Sequence, residues 1–391
     1  MTDTPKRPSV APPASKRPSA IPPDPRLPED EKWMDLALVH ARSGRPSPNP
    51  HVGAVIVKDG ELVGTGHHER AGTDHAEVVA LRNAGARAAG GTIYVTLEPC
   101  NHHGRTPPCT EAIIAAGLAR TVIGTRDPNP HVDGGGVEAL RAAGIEVTCN
   151  VREAASRGQI APWSKHVTTG LPYVSIKLAL SLDGRIATRS GASKWVTGAD
   201  ARAKVHLLRS RCDAIAVGIG TAAADDPRLT VRDVPGDSPL RIVFDTNLRL
   251  DVGSRLAQTS REIPTLVLCG PDAPVPAEEI LVALGVECVR LPLSTEGRLD
   301  VVVALQFLAQ RGVVSLLVEG GAELAGSFLA GRLADELHAF IAPILLGPRG
   351  RPGAVDWAGP DTPQQAPRIA SPAWELVGED AYVHGPLIYP E

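Results

Sequence analysis

The residues richest in chemistry are His75-Ala76-Glu77, Glu98-Pro99-Cys100 and Cys109. One imidazole and two thiolates supply three zinc ligands and leave the fourth tetrahedral position to water, as a catalytic site requires. Zinc brings the pKa of bound water down to roughly 7. Glu77 lies two residues beyond His75 on the same first helical turn. It can approach that water without ligating and carry a proton to a leaving amine. Cys100 and Cys109 are expected at or near the start of the following helix, where the dipole favours thiolate. The bland alternative is two unrelated buried cysteines and a chance His-x-Glu. Strand, Pro-Cys and second Cys arriving in the expected order argue against it. His102 and His103 are rival ligands, better suited to meeting substrate or supporting the ligands.

The second half carries a looser set: Lys177 to Arg185, Ser193 to Thr197, Leu208-Arg209, Thr221, Ala224 to Arg232, and Val318-Glu-Gly-Gly-Ala-Glu-Leu324. Glycines after Glu319 let backbone amides approach a pyrophosphate at a helix N-terminus, although a tight strand-to-helix turn is what Gly usually means. No G-x-G-x-x-G follows a strand, so a Rossmann reading is poorly supported. Cys149, Cys212, Cys269 and Cys288 have no partners at ligand spacing and read as small buried hydrophobes.

Elements must hold these groups in place. Residues 1–28 alternate Pro with Ser, Ala and basic residues and are expected to form a disordered tail. From Glu29, Trp33, Leu36, Ala37 and Ala41 recur at helical spacing. Val52 to Val57 reads as a strand, Asp59-Gly60 as a hairpin turn, and a helix is expected from near His75. Strands at Thr92 to Leu97, Thr121 to Thr125 and Ile145 to Cys149 alternate with helices at Cys109 to Ala116 and Gly134 to Ala143. Pro162 and Gly170-Leu171-Pro172 mark a boundary, giving a zinc domain with connector over 29–170 and a second domain over 171–391. There the strand at Tyr173 is followed by Ala214 to Val217, Arg241 to Asp245, Thr265 to Cys269, Ser315 to Val318 and Ala339 to Leu345. Alternation of this kind implies two α/β layered units.

Composition limits the partners. A formal charge of −4 and 3% aromatics argue against a nucleic-acid binder. No run is apolar enough to span a bilayer, and no signal sequence is visible. Six scattered cysteines suit a reducing cytoplasm.

The first constellation resembles the zinc deaminase pattern H-x-E…P-C-x-x-C, but with eight residues between the cysteines instead of two. That insertion carries a more specific resemblance. Ser47-Pro-Asn-Pro-His-Val-Gly53, Thr96-Leu-Glu-Pro-Cys100, His102-His-Gly-Arg-Thr-Pro-Pro-Cys109 and Asp127-Pro-Asn-Pro130 are similar to the bifunctional deaminase/reductases of riboflavin biosynthesis. The resemblance runs from about Glu29 to near the C-terminus, and departs at Asn101, where Ser is expected. It implies a cytidine-deaminase-like domain followed by a dihydrofolate-reductase-like one, with Zn²⁺ and NADPH as cofactors.

By that resemblance His75, Cys100 and Cys109 hold zinc and Glu77 shuttles the proton. Asn49 meets the pyrimidine ring, and His102, His103 and Arg105 hold a ribose phosphate. Ala179, Trp195, Thr221, Asp225, Thr246 and the stretch Gly321, Ala322, Glu323, Leu324, Ala325, Gly326 and Ser327 meet NADPH. Ser193, Arg209, Leu229, Arg232 and Glu319 meet substrate, the arginines on its phosphate, and Lys177 orients or protonates the sugar. Without the family, Trp195 would read as a core aromatic and Asp225 as a cap.

The expected substrate is a small pyrimidine ribosyl phosphate, and a homo-oligomer is expected because such enzymes tend to associate. Two rivals remain at this level. One is a nucleoside or tRNA deaminase whose second domain only binds. The other is a structural zinc module closed by a fourth ligand such as His102.

Overall fold

The structure, a computed structural model, describes residues 25–104, 107–130, 135–347 and 353–390. The expected tail lies outside them up to position 24, as does Arg105. The first sheet contains β1 (Gly53–Lys58), β2 (Glu61–His67), β3 (Thr92–Leu97), β4 (Arg120–Thr125) and β5 (Glu146–Cys149), in the order β2-β1-β3-β4-β5. The β1–β2 hairpin is antiparallel, β3 to β5 run parallel, and β1 joins β3 antiparallel. Both faces are covered. Helix α1 (Leu27–Ala41) packs Trp33, Met34 and Ala37 on Val55, Val57 and Tyr94. Helices α2 (Ala76–Ala84), α3 (Cys109–Ala115) and α4 (Gly136–Ala142) cover Ala54, Ile56, Ile93 and Val95. Burial on both sides is why these strands read as continuous apolar runs.

Two short helices, α5 (Glu153–Gln159) and α6 (Ala161–Thr169), lead into the second sheet. Its strands are β6 (Tyr173–Ser181), β7 (Ala214–Gly218), β8 (Leu240–Phe244), β9 (Thr265–Cys269), β10 (Glu287–Arg290), β11 (Ser315–Glu319), β12 (Glu336–Ala342), β13 (Arg368–Ile369), β14 (Ala373–Val377) and β15 (Asp380–Ile388). The order is β10-β9-β8-β7-β11-β6-β12-β15-β13, with β14 on β15. From β10 to β12 all neighbours are parallel, and β15 returns antiparallel. Chain order reverses between β7 and β6, where β11 inserts. Such a switch point opens a crevice at the carboxyl ends of the strands.

The strand expected at Ala339 to Leu345 instead occupies Glu336–Ala342. Pro343 cannot donate to a ladder and ends it, while Glu336 and His338 disguise its start. No helix among the described residues is long and apolar enough to cross a membrane.

Candidate active sites

Helix α2 brings the first site together. His75 is its N-cap in extended backbone, and Glu77 follows within the first turn. The helix lies unusually close to β2, because a Cβ on Gly66 would stand 2.2 Å from the Ala76 carbonyl oxygen and one on Gly64 2.4 Å from that of Ala80. Cys100 follows β3, and Cys109 is the first residue of α3. His75 Nδ1 lies 3.6 Å from Cys100 Sγ and 3.3 Å from Cys109 Sγ. Ligands at ordinary Zn–N and Zn–S lengths stand roughly 3.5–3.8 Å apart around a tetrahedral ion, so these atoms fit zinc with little movement. The cluster holds these three residues alone among the described ones. His102 is exposed and outside it, which leaves a position for water and disfavours the closed structural module.

The electrostatics agree. The Cys109 N–H donates to Cys100 Sγ at 3.3 Å. The side-chain bond from Cys109 outweighs burial and, with His75, holds the Cys100 thiol down at about 4. The same bond, burial and nearby Glu77 push Cys109 up. Metal binding needs both sulfurs as thiolates and the imidazole neutral, so it releases the protons these groups hold. Glu77 is 3% exposed, and burial raises its carboxyl above the ordinary range against the pull of His75.

Asn49 is present at this site through a residue that sequence reasoning missed. Its Nδ2 is 3.0 Å from Nε2 of buried His68, whose Nδ1 is 3.1 Å from the Asp74 carbonyl. Burial lowers the pKa of His68, so its neutral form donates from Nδ1 and accepts from Asn49 at Nε2. The bond to His68 uses the Asn49 amide nitrogen and not its carbonyl oxygen. The His68 ring also meets His75 edge-on at 5.1 Å. Glu98 is buried and holds the Asp127 and Val137 N–H groups at 3.3 and 3.1 Å. His103 is exposed and pairs with Glu111 at 3.3 Å.

The second site is a cleft of about 1560 Å³ at the carboxyl ends of the second sheet. It is lined by Lys177, Ala179, Ser193, Trp195, Arg209, Thr221, Asp225, Leu229, Arg232, Thr246, Glu319, Gly321, Ala322, Glu323, Leu324 and Ser327. Ala325 and Gly326 do not line it: Ala325 joins the core, and a Cβ on Gly326 would meet the Asp356 carbonyl at 2.0 Å. Gly320 and Gly321 both have φ of +87°, and their Cβ positions abut Thr221 at 3.1 and 3.3 Å. Side chains there would be strained and would crowd the N-terminus of α7 (Ala322–Ala330).

Glu319 ends β11 beside Lys177 on β6. Arg209 grips it through two bonds of 2.6 and 2.8 Å, and Lys177 Nζ is 3.6 Å away. Burial would raise this carboxyl, but Arg209 and Lys177 outweigh it and hold it at about 2. The remaining Arg209 nitrogen donates to the Thr230 carbonyl at 2.9 Å, so Arg209 is already engaged. Arg232 is the exposed one; its guanidinium donates to Thr230 Oγ1 at 2.7 Å, and its backbone N–H to His206 Nδ1 at 3.3 Å. Ser193 donates to Asp225 at 2.6 Å, joining the two loops. Trp195 is 69% exposed under the Arg202 guanidinium and is not a core aromatic.

Comparison with known proteins gives both halves the same assignment. Residues 27–125 match the cytidine and deoxycytidylate deaminase zinc-binding region, and residues 172–383 match the RibD C-terminal domain. The riboflavin biosynthesis protein RibD of Aquifex aeolicus is 44% identical over 321 residues, covering 81% of this chain and 88% of that protein. RibD of Escherichia coli K12 is 42% identical over 373 residues, covering 91% and 99%. A solved diaminohydroxyphosphoribosylaminopyrimidine deaminase/5-amino-6-(5-phosphoribosylamino)uracil reductase from Thermotoga maritima superposes with a TM-score of 0.79 at 34% identity, covering 93% of this chain and all of that one. With a zinc-type ligand cluster in one half and a switch-point cleft in the other, the chain belongs to the RibD family of riboflavin biosynthesis proteins.

Proposed function

We infer that the chain catalyses two successive steps of riboflavin biosynthesis. The first is hydrolytic deamination of 2,5-diamino-6-(5-phosphoribosylamino)pyrimidin-4(3H)-one, and the second is NADPH-dependent reduction of the ribosyl group to a ribityl chain. The observation that carries this reading is the convergence of His75, Cys100 and Cys109 beside buried Glu77, in one chain with the Lys177–Glu319–Arg209 cleft.

Held by His75, Cys100 and Cys109, zinc supplies the Lewis acidity that lets water lose a proton near neutral pH. Glu77 takes that proton and passes it to the departing amine, so oxygen replaces nitrogen on the ring and ammonia leaves. Asn49, oriented by His68, fixes the ring edge. The second site would hold NADPH beside Lys177 and Glu319, and the cofactor would supply a hydride to C1′ of the ribose. Lys177, positioned by Glu319, gives a proton to the sugar oxygen released as the ring opens. Arg232 meets the substrate phosphate, because Arg209 is committed to Glu319.

The cofactor end follows from the sheet. Strands lie about 4.8 Å apart, so the step from β6 to β8 across β11 and β7 is roughly 14 Å. A cofactor with its hydride end at Lys177 and its pyrophosphate at the start of α7 would extend its adenosine towards the ends of β8 and β9. Arg249, just beyond β8, lines that end and has no side-chain hydrogen bond or ion pair to a described residue. It is the group for the 2′-phosphate. A homo-oligomer and a cytoplasmic location complete this reading, supported by exposed Trp374 and Leu376 on β14 and by six unpaired thiols.

Mass spectrometry of the product, with and without NADPH, tests the function. Amine-for-oxygen exchange without cofactor and two added hydrogens with it are expected. Glu77→Gln should abolish the exchange while leaving bound zinc and reduction of the deaminated compound. Exchange that persists in Glu77→Gln removes its assigned role.

A further inference from the structure

A second group of ligand-bearing side chains lies away from both sites. Glu336 and His338 point to one face of β12, and His384 is the direct cross-strand partner of His338 on β15. Each offers one ligand atom, and the three atoms lie within 4.8 Å of one another. His338 is 6% exposed, and its Nδ1 sits 2.6 Å from the Tyr382 hydroxyl. With Nδ1 accepting from the Tyr382 hydroxyl, Nε2 turns its N–H to Glu336 Oε2 at 3.4 Å, a proton that a bound ion would displace. Ser175 donates to the same carboxylate at 3.3 Å. This is the supporting arrangement of a ligating histidine, whose other nitrogen is fixed by a hydrogen bond.

An ordinary ion pair accounts for only part of the cluster. It uses one histidine and leaves His384 stacked at 4.8 Å on Tyr382 and 5.6 Å on His338, with no hydrogen bond from either ring nitrogen to a described residue. Lys204 lies over the Tyr382 ring and is paired with Glu375. Ligands around a tetrahedral ion at ordinary Zn–N and Zn–O lengths stand roughly 3.3 Å apart. His338 and Glu336 already meet that spacing, and partly exposed His384 must close by no more than about 1.5 Å and turn out of its stack on His338, so that one ion lies in the plane of both rings.

We propose that Glu336, His338 and His384 form a second metal site, which takes one divalent first-row transition ion on two imidazoles and a carboxylate. That donor set suits zinc, cobalt or nickel, and lacks the oxygen ligands that magnesium and calcium require. The ion clips β15 to β12 and takes no part in either reaction.

The test is a cobalt(II) titration of the full-length chain with zinc already in its thiolate site, followed by visible absorption. One further equivalent should bind with ligand-field bands and no thiolate-to-cobalt charge transfer. It should also raise the melting temperature of the reductase half. His384→Ala, at a partly exposed position, should weaken this equivalent at least about tenfold and remove the thermal shift. Glu336→Gln should do the same, with the zinc content of the thiolate site unchanged in both. A wild-type chain that binds no cobalt, shows only thiolate bands, or titrates like His384→Ala overturns the proposal.

Discussion

Glu319 is one carboxylate serving two cations, and its acidity follows from that. Its carboxyl sits at about 2 instead of 4.5, so the folded chain binds this proton less readily than the unfolded one. The stabilisation is therefore full above about pH 4.5 and is lost as pH falls towards 2. Glu319→Gln leaves Arg209 buried without its partner and should cost about 3 kcal/mol or more at neutral pH. In urea unfolding, the gap between wild type and variant should shrink steadily from pH 4.5 to 2. A gap that stays constant would mean Glu319 is not the titrating group. Arg249 is open to a cleaner measurement. Arg249→Ala should weaken binding of 2′,5′-ADP roughly 10- to 100-fold, the loss of a charge-assisted hydrogen bond, and leave 5′-ADP unchanged. Equal losses for both nucleotides would place Arg249 elsewhere on the cofactor. At this scale the clustering of His75, Cys100 and Cys109 was legible because each lies in a short local pattern beside a strand or helix start. His68 was not: it comes beside Asn49 and His75 only when the chain leaving β2 folds back, and no spacing encodes that. Arg209 was legible as a site residue, but its commitment to Glu319 was not, since 110 residues separate them.

Elements place these side chains through close approach of backbones. Gly64 and Gly66 let α2 settle on β2, and α2 carries His75 and Glu77. In Gly66→Ala the new methyl meets a helix carbonyl that cannot rotate away. The expected cost is at least about 1–3 kcal/mol, the usual range for overpacking. Because the helix must lift, zinc retention against a chelator should fall along with stability, while the reductase activity stays. Full retention of zinc would show that α2 can shift without moving its first turn. Elements buried on both faces were easy to read. The strands at Thr92–Leu97 and Thr265–Cys269 coincide with their expected limits because apolar runs there end at turn residues. The hairpin of β14 and β15 escaped notice because its apolar residues are exposed in β14 and Gly385-Pro386 interrupts β15. Strand β10 is four residues long with a charged residue at each end, too short for alternation to register.

Across the whole molecule, two cores are joined by thin contacts, and the contacts differ in what they tie. Arg45 reaches from the deaminase half to Asp237 at 2.8 Å and to the Ser210 carbonyl at 2.9 Å, but Arg45 and Asp237 are both largely exposed. Exposed pairs contribute about 0–1 kcal/mol, so Arg45→Ala should leave both activities and both melting transitions nearly unmoved. Lys165 on α6 is different. It pairs with Asp335, whose carboxylate also accepts the Val174 N–H at 2.7 Å at the start of β6. Burial raises the Asp335 carboxyl, and Lys165 opposes that shift. Helix α6 follows the deaminase fold in sequence, yet this bond fastens it to the reductase sheet. Lys165→Ala should therefore lower the reductase transition in calorimetry, by an amount on the order of 1–3 kcal/mol for a group losing a buried partner. The temperature of zinc release, followed with a metal-sensitive dye in the same scan, should not move. If zinc release falls in step with the reductase transition, the halves unfold as one unit, and the two reactions share a stability as well as a chain.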